Sequence, residues 1–315
     1  MGPALDTTRG DDLSEASFER SSVIACTEFT PPALARRFLD RLRDLLTRGA
    51  AMGAVLETTI EGRRPVAAGT WVFLGDAAHE RLRSIPLPSL DEWLVDEALT
   101  CGGVLARDEI ARANAGAGLH LFVLYFKGQD ADLSESGRRQ LVLDMRATIF
   151  PGFLGYNLRS LTARIRHLTQ IASGVQSGCH VMRGDAIPDP VHGEFLPHPV
   201  LLRVDRESLH FASYVAGAFA WKRPVFGFSA AEQRMLLLAM RGHRDDALAS
   251  ICGVGASTVK KRWDSILARA SSAAPDLFES AGPAAGTPGR RGREKRTRLL
   301  TFLSTHLEEL RPYHV

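Results

Sequence analysis

The chain has 315 residues, 45% of them hydrophobic and 24% charged, with a formal net charge of +3. That length suits about two domains of roughly 100–200 residues, and the composition is that of an ordinary globular protein. No run approaches the ~18 apolar residues of a membrane span. Met1–Ser14 lacks the basic-then-apolar order of a secretory signal. No membrane partner is therefore expected, and the cytoplasm is the expected compartment. The four cysteines, Cys26, Cys101, Cys179 and Cys252, form no Cys-x-x-Cys pair. Neither a disulfide framework nor a structural zinc is expected.

Charge is unevenly spread. Ser229–Val315 carries 14 Lys and Arg against 9 Asp and Glu, a net of +5, which leaves −2 on the rest. A basic C-terminal part on a near-neutral body points to a polyanion partner for that part.

Residues 1–20 are polar and aperiodic and are expected to be disordered. Pro31-Pro32 opens a helical pattern over Ala33–Arg48, with Leu34, Phe38, Leu42 and Leu45 at helical spacing. Met52–Ile60 and Pro65–Leu74 lean to strand, with Glu61-Gly62 as the turn between them. Leu90–Leu99 predicts a helix, Gly103–Ala106 a short strand and Gly118–Phe126 a buried strand. Ser134–Phe150 predicts a helix capped by Ser134. This element order resembles a GAF or PAS-like sensor. The resemblance implies a sensor domain over residues 21–150 and an unknown small-molecule ligand. Trp71, Trp93, Phe122 and Tyr125 are read as core first and as cavity lining second.

From Leu154 to Val175 the apolar residues Leu154, Leu158, Leu161, Ile165, Leu168, Ile171 and Val175 alternate steps of four and three. That seam predicts a connector helix that dimerises or one that packs on its own domain. Residues 174–228 are rich in Gly and Pro and read as loops, with a strand at Val200–Val204. Residues 151–225 thus form a connector and a module of uncertain fold. Cys179-His180, His192 and His198 match no zinc spacing and have no carboxylate orienter. No metal ligand, cofactor or catalytic residue is assigned.

Ser229 and Glu232 form a capping box, a hydroxyl and a carboxylate each meeting an orphan backbone N–H. The helix they open ends at Gly242. A short helix starts at Asp245 or Asp246. Gly253-Val254-Gly255 turns the chain, and a third helix begins at Ala256 with Val259, Trp263, Ile266 and Leu267 inward. Two helices joined by a short glycine-containing turn make a helix-turn-helix.

Over about 40 residues this stretch resembles the LuxR/GerE-type helix-turn-helix family. Met235-Leu236 takes the apolar pair, Leu248-Ala249 the second helix, Gly253-Val254 the turn, and Thr258-Val259-Lys260 the family's Thr-Val-Lys run. Gly255, Cys252 and Arg262 depart from the pattern. The resemblance implies that Ser257, Thr258, Lys260, Lys261 and Arg262 meet double-stranded DNA. Arg290, Arg291, Arg293 and Lys295 would add phosphate contacts from a basic, amphipathic tail.

The expected architecture is thus α+β: a GAF/PAS-like sensor, a helical connector, an all-α helix-turn-helix domain over 226–280, and a linker and tail over 281–315. The expected function is a one-component, sequence-specific transcriptional regulator, not an enzyme. It would act as a homodimer, with RNA polymerase as a further partner. The alternative is a protein-interaction or sigma-like adaptor whose N-terminal domain binds a partner protein.

Overall fold

The computed structural model describes residues 5–10, 22, 24–58, 64–100, 102–128, 140, 143, 150–182, 187, 195–209, 214–279 and 288–314. Most of the expected helix at Ser134–Phe150, the Glu61-Gly62 turn, His192 and the linker at 281–287 lie outside the described residues. The chain divides into two compact units, Met1–Ala220 and Trp221–Val315.

The first unit is built on one seven-stranded sheet in the order β1-β2-β3-β4-β5-β7-β6. Its strands are β1 (Leu5–Gly10), β2 (Ala51–Thr58), β3 (Arg64–Leu74), β4 (Leu119–Gly128), β5 (Leu158–His167), β6 (His180–Val181) and β7 (Phe195–Asp205). All neighbours pair antiparallel except β4 and β5, which run parallel. Helices α1 (Pro32–Thr47), α2 (Asp76–Arg81), α3 (Leu90–Trp93), α4 (Arg107–Ala115) and α5 (Leu168–Gln176) surround it. The α3 helix continues as a wider turn over Leu94–Ala98.

Both sheet faces are covered. One packs Val72, Leu74, Phe122, Leu124 and Leu201 against Leu34, Phe38 and Leu42 of α1 and Leu90 and Trp93 of α3. The other packs Trp71, Phe73, Leu121, Val123 and Leu161 against Ile110 of α4 and against Phe153 and Val215. The α1 helix forms where its sequence predicts. Pro32 sits in its first turn, where a missing N–H costs nothing. Leu34, Phe38, Leu42 and Leu45 make one buried stripe.

This architecture corrects the GAF/PAS-like reading. A mixed sheet with a central parallel pair and helices on both faces replaces a sensor that ended at residue 150. Leu5–Gly10, expected to be disordered, pairs with β2 as the edge strand. Gly103–Ala106 yields a single bridge, Leu74 to Val104.

The connector helix is corrected too. Residues 158–167 are strand β5, and only Leu168–Gln176 is helical. The cause is a bulge. One step on β4, Leu119 to His120, faces two on β5, Leu158 to Ser160. The extra residue, Arg159, puts Leu158 and Leu161 on the same face. Their spacing of three, followed by Ile165, imitates a helical seam. Strands β5, β6 and β7 are therefore the second half of one sheet.

The second unit is helical: α6 (Ala230–Met240), α7 (Asp245–Cys252), α8 (Ala256–Ala273), α9 (Asp276–Glu279) and α10 (Pro288–Leu303). The capping box is in place, with Glu232 N donating to Ser229 Oγ and Ser229 N donating to Glu232 Oε2 at 2.8 Å. Gly253 closes α7 at φ +64°, a left-handed conformation that favours glycine. Leu299 and Leu303 of α10 bury against Leu236, Leu248 and Trp263. Arg296 stacks its guanidinium 4.5 Å from the Trp263 ring and pairs with Asp245 at 2.9 Å. Glu309 accepts from the N–H groups of Val225 and Phe226.

Candidate active site

Strand registers place side chains in rows across the sheet. Leu74 of β3 faces His120 of β4, His120 faces Ser160 of β5, and Ser160 faces Asp205 of β7. The next row with the same orientation runs Val72, Phe122, Thr162, Arg203 and then His180 of β6. Both rows lie on the α1/α3 face, because Val72, Leu74 and Phe122 are packed there. Along β5 this face carries Ser160, Thr162, Arg164 and Arg166, all buried. A run of four polar residues at strand period inside a core needs partners, since unpaired buried polar groups are costly.

Most have them. Arg164 forms a two-pronged pair with Asp91 at 2.6 and 2.7 Å and donates to Glu28 O. Its guanidinium lies 4.2 Å from the Phe29 ring. Arg166 donates to Pro197 O at 2.6 Å. Lys127 of β4 meets Glu28 at 3.0 Å.

At the other end of the stripe is a chain of four side chains. His120 Nδ1 lies 2.7 Å from Ser160 Oγ, and Ser160 Oγ lies 3.3 Å from His79 Nε2 of α2. The two imidazoles stack with centroids 3.6 Å apart. His120 Nε2 stands 3.3 Å from Asp76 Oδ1, whose side chain is 81% exposed. Burial pushes the His79 pKa down to about 3, helped by His120, Arg203 and Arg83. Burial and then Arg159 push His120 down to about 4, against Asp76. Both rings are neutral near pH 7.

The Asp76 carboxylate favours the His120 tautomer with its proton on Nε2. Nδ1 then accepts the Ser160 hydroxyl proton, and Ser160 Oγ accepts from His79 Nε2–H. The arrangement is a hydrogen-bonded relay from the sheet interior to solvent, with neutral imidazoles able to accept a proton.

A second feature is backbone. The step Thr70 to Trp71 on β3 faces Tyr125 and Val123 on β4, so Leu124 is a bulged extra residue. The parallel ladder between β4 and β5 ends at Val123 and Ala163, at the same level. Beyond it, β4 runs on to Gly128 and β5 to His167 without pairing to each other. The Gln170 side-chain amide of α5 donates to Phe126 O at 3.4 Å. It takes a position that a ladder N–H would fill. Bulges recur beside active sites, and sheets of this kind take ligands at the carboxyl ends of parallel strands.

The residues singled out in the sequence lie elsewhere. Trp71 faces the other core, edge-on to Phe153 at 4.9 Å, so it shares no cavity with Trp93, Phe122 and Tyr125. Ser257, Lys260 and Lys261 are exposed and Thr258 and Arg262 half-buried on the first turns of α8. Arg290 and Arg291 fall in α10. Arg293 is exposed, and exposed Lys295 stands 5.8 Å from the Phe278 ring. Burial raises the Cys179 thiol pKa, which opposes a nucleophilic role. His79, His120, Ser160, Thr162 and Arg203 carry no local motif. The one available signal was the polar alternation Ser160-x-Thr162-x-Arg164-x-Arg166 in an apolar setting.

Among solved structures, the chain is similar to an N-acyl amino acid synthase from uncultured soil microbes. Identity is 10% and the TM-score 0.37, over 68% of this chain and 96% of that one. It is similar also to a mosquito arylalkylamine N-acetyltransferase-like protein, with 10% identity and a TM-score of 0.36 over 64% and 98% of the two chains. A third is the C-terminal condensation domain of Ebony in complex with beta-alanyl-dopamine, with 12% identity and a TM-score of 0.37 over 65% and 100%. At these values the likeness is loose and assigns no substrate or catalytic residue to this chain. No family model and no curated protein sequence matches it.

These findings correct the regulator reading. No family model supports the LuxR/GerE or GAF/PAS resemblance, and the similar structures bear acyl-transfer names. The DNA-binding transcriptional function, its DNA, homodimer and RNA polymerase partners, the non-enzyme reading and the adaptor alternative are withdrawn with it. Among the described residues, no helix is long and apolar enough to cross a membrane.

Proposed function

We propose that residues 1–220 form an acyl-transfer enzyme of the cytoplasm, moving an acyl group from a thioester donor to an amine. The observation that carries this reading is the opening between β4 and β5. The ladder stops at Val123 and Ala163 beside the Leu124 bulge, and a side-chain amide already sits on Phe126 O beyond it. An extended donor with amide groups can complete such an interrupted ladder, as a bound peptide does at a sheet edge.

The chemistry needs a proton acceptor. The amine attacks the thioester carbonyl, the C–S bond breaks, the thiolate leaves, and the amine proton passes to a base. His79, Ser160 and His120 supply that path, with Asp76 at its solvent end. Ser160 lies about 10 Å along β5 from Ala163, at ~3.3 Å per residue, a span that an acyl chain bridges.

The test is thiol release by the full chain with a panel of acyl thioesters and amines. Amine-dependent release that falls roughly 10²–10⁴-fold in His120→Asn is expected for loss of a general base. Absence of both thioester binding and thiol release across the panel overturns the reading.

A further inference from the structure

Among the described residues, two buried donors in the row beside the relay have no partner. Thr162 Oγ1 is one and Arg203 Nη1 the other. Both residues are at least nine-tenths buried. The cause of the vacancy at Arg203 is geometric. Asp205 occupies its Nε and Nη2 edge, at 2.9 and 2.5 Å, and leaves Nη1 unused.

Thr162 and Arg203 face each other directly in the β5–β7 register. Directly opposed residues on antiparallel strands carry Cβ atoms ~5 Å apart on one face. The two side chains therefore leave the sheet side by side on one face, and the Thr162 hydroxyl and the Arg203 Nη1 group each lack an acceptor among the described residues. Native interiors leave few such groups, and each calls for an explanation.

The row has an open end. Arg203 faces His180 on β6, and His180 is exposed at the sheet edge. In the adjoining row lie Ser160 and His120, and Arg203 stands close enough to His79 to lower its basicity. A ligand oxygen placed on Thr162 and Arg203 would thus lie beside the relay.

The geometry points to a carboxylate-binding subsite formed by Arg203 and Thr162, so that the acyl acceptor is an amine that also carries a carboxylate, an amino acid. A carboxylate supplies the acceptor lone pairs that both donors lack, and guanidinium–carboxylate pairing is among the stronger charge-assisted contacts. With its carboxylate held there, the amino group of an α-amino acid, two bonds from the carboxyl carbon, can turn toward His79 and Ser160 of the adjoining row. Carboxylate and amine then have separate partners, Arg203 with Thr162 for one and the relay for the other. This inference rests on the acyl-transfer reading for its chemistry, but the binding it specifies does not.

The experiment compares free L-amino acids with their decarboxylated amines, by calorimetric titration against the full chain without any thioester. Amino acids are expected to bind at least tenfold more tightly than the matching amines. Thr162→Val keeps the shape and removes an unpartnered hydroxyl, so the fold is retained while amino-acid affinity falls several-fold. Arg203→Met is expected to abolish the preference, with Arg203→Lys restoring part of it. Equal binding of amino acids and amines, or unchanged preference in Thr162→Val, overturns the subsite. Amine-dependent thiol release that persists with no preference for amino acids would sink the subsite and leave the transferase. Carboxylate-dependent binding with neither thioester binding nor thiol release across the panel would do the reverse.

Discussion

The two units place their polar groups differently. In the second, the core around Leu236, Leu248, Trp263 and Leu299 is apolar, and the charged groups serve helix ends. Glu232 caps α6 and meets Arg269 at 3.0 Å, while Glu309 takes the Val225 and Phe226 N–H groups. In the first, Glu28, Asp91, Arg164, Arg166, Arg203 and two histidines lie inside, along one sheet face. Helix ends can be satisfied at a surface, whereas buried ions must be matched one by one, and errors there are severe. A polar interior is therefore weak evidence of stability and better evidence of a site.

The sharpest way to break this contrast is at Arg164. Replacing it with Met strands Asp91 with little solvent access, at 10% side-chain exposure. The first unit should lose about 3–5 kcal/mol in denaturant unfolding, with the transition of the second unit unmoved. A loss below about 1 kcal/mol would mean that Asp91 finds another partner or solvent when Arg164 is gone.

Acid comes next. His79 and His120 have folded pKa values of about 3 and about 4, below the ~6.5 of an unfolded chain. Their neutral forms are favoured by folding. The stability they allow is full above pH 6.5 and drains as pH falls through that value toward 4. The groups around them are Asp76, Arg83, Arg159, Arg203 and Asp205. Each histidine should cost about 2 kcal/mol between pH 7.5 and 5, read as a falling midpoint that His79→Gln partly flattens. A flat profile over that range would remove the neutral relay.

The helical unit should respond more gently. Ser229→Ala removes one half of the capping box and is expected to cost about 1 kcal/mol. Gly255, the residue before α8, makes no side-chain cap. Gly255→Ser should stabilise by a few tenths of a kcal/mol, seen as a small rise in the helical melting midpoint. A stabilisation above 1 kcal/mol would mean that the turn after α7 was strained.

What could be read beforehand follows the same division. Helices α6, α7 and α8 announced themselves through Ser229, Glu232, Gly242 and Gly253, because caps and left-handed turns act over three or four residues. Their resemblance to a DNA-binding family did not carry a function. In the first unit α1 and the strands β2, β3 and β4 were legible from periodicity. β5 was not, since the Arg159 bulge shifts its phase and its second face is polar yet buried. The candidate site was not legible at all. His79, His120, Ser160 and Arg203 come from four elements: strand registers bring the last three into neighbouring rows, and helix α2 sets His79 against them.

The clamp of Glu309 on Val225 and Phe226 bears on the order of events during synthesis. It joins groups 84 and 83 residues apart. Helices α6 to α8 can form as soon as they emerge, since their contacts are near in sequence, but the segment leading into them stays untied until residue 309 has been made. Closing a loop of that length costs more chain entropy than forming a local helical contact. The second unit should therefore pass through a helical intermediate whose entrance segment still exchanges amide hydrogens freely, and become protected there last.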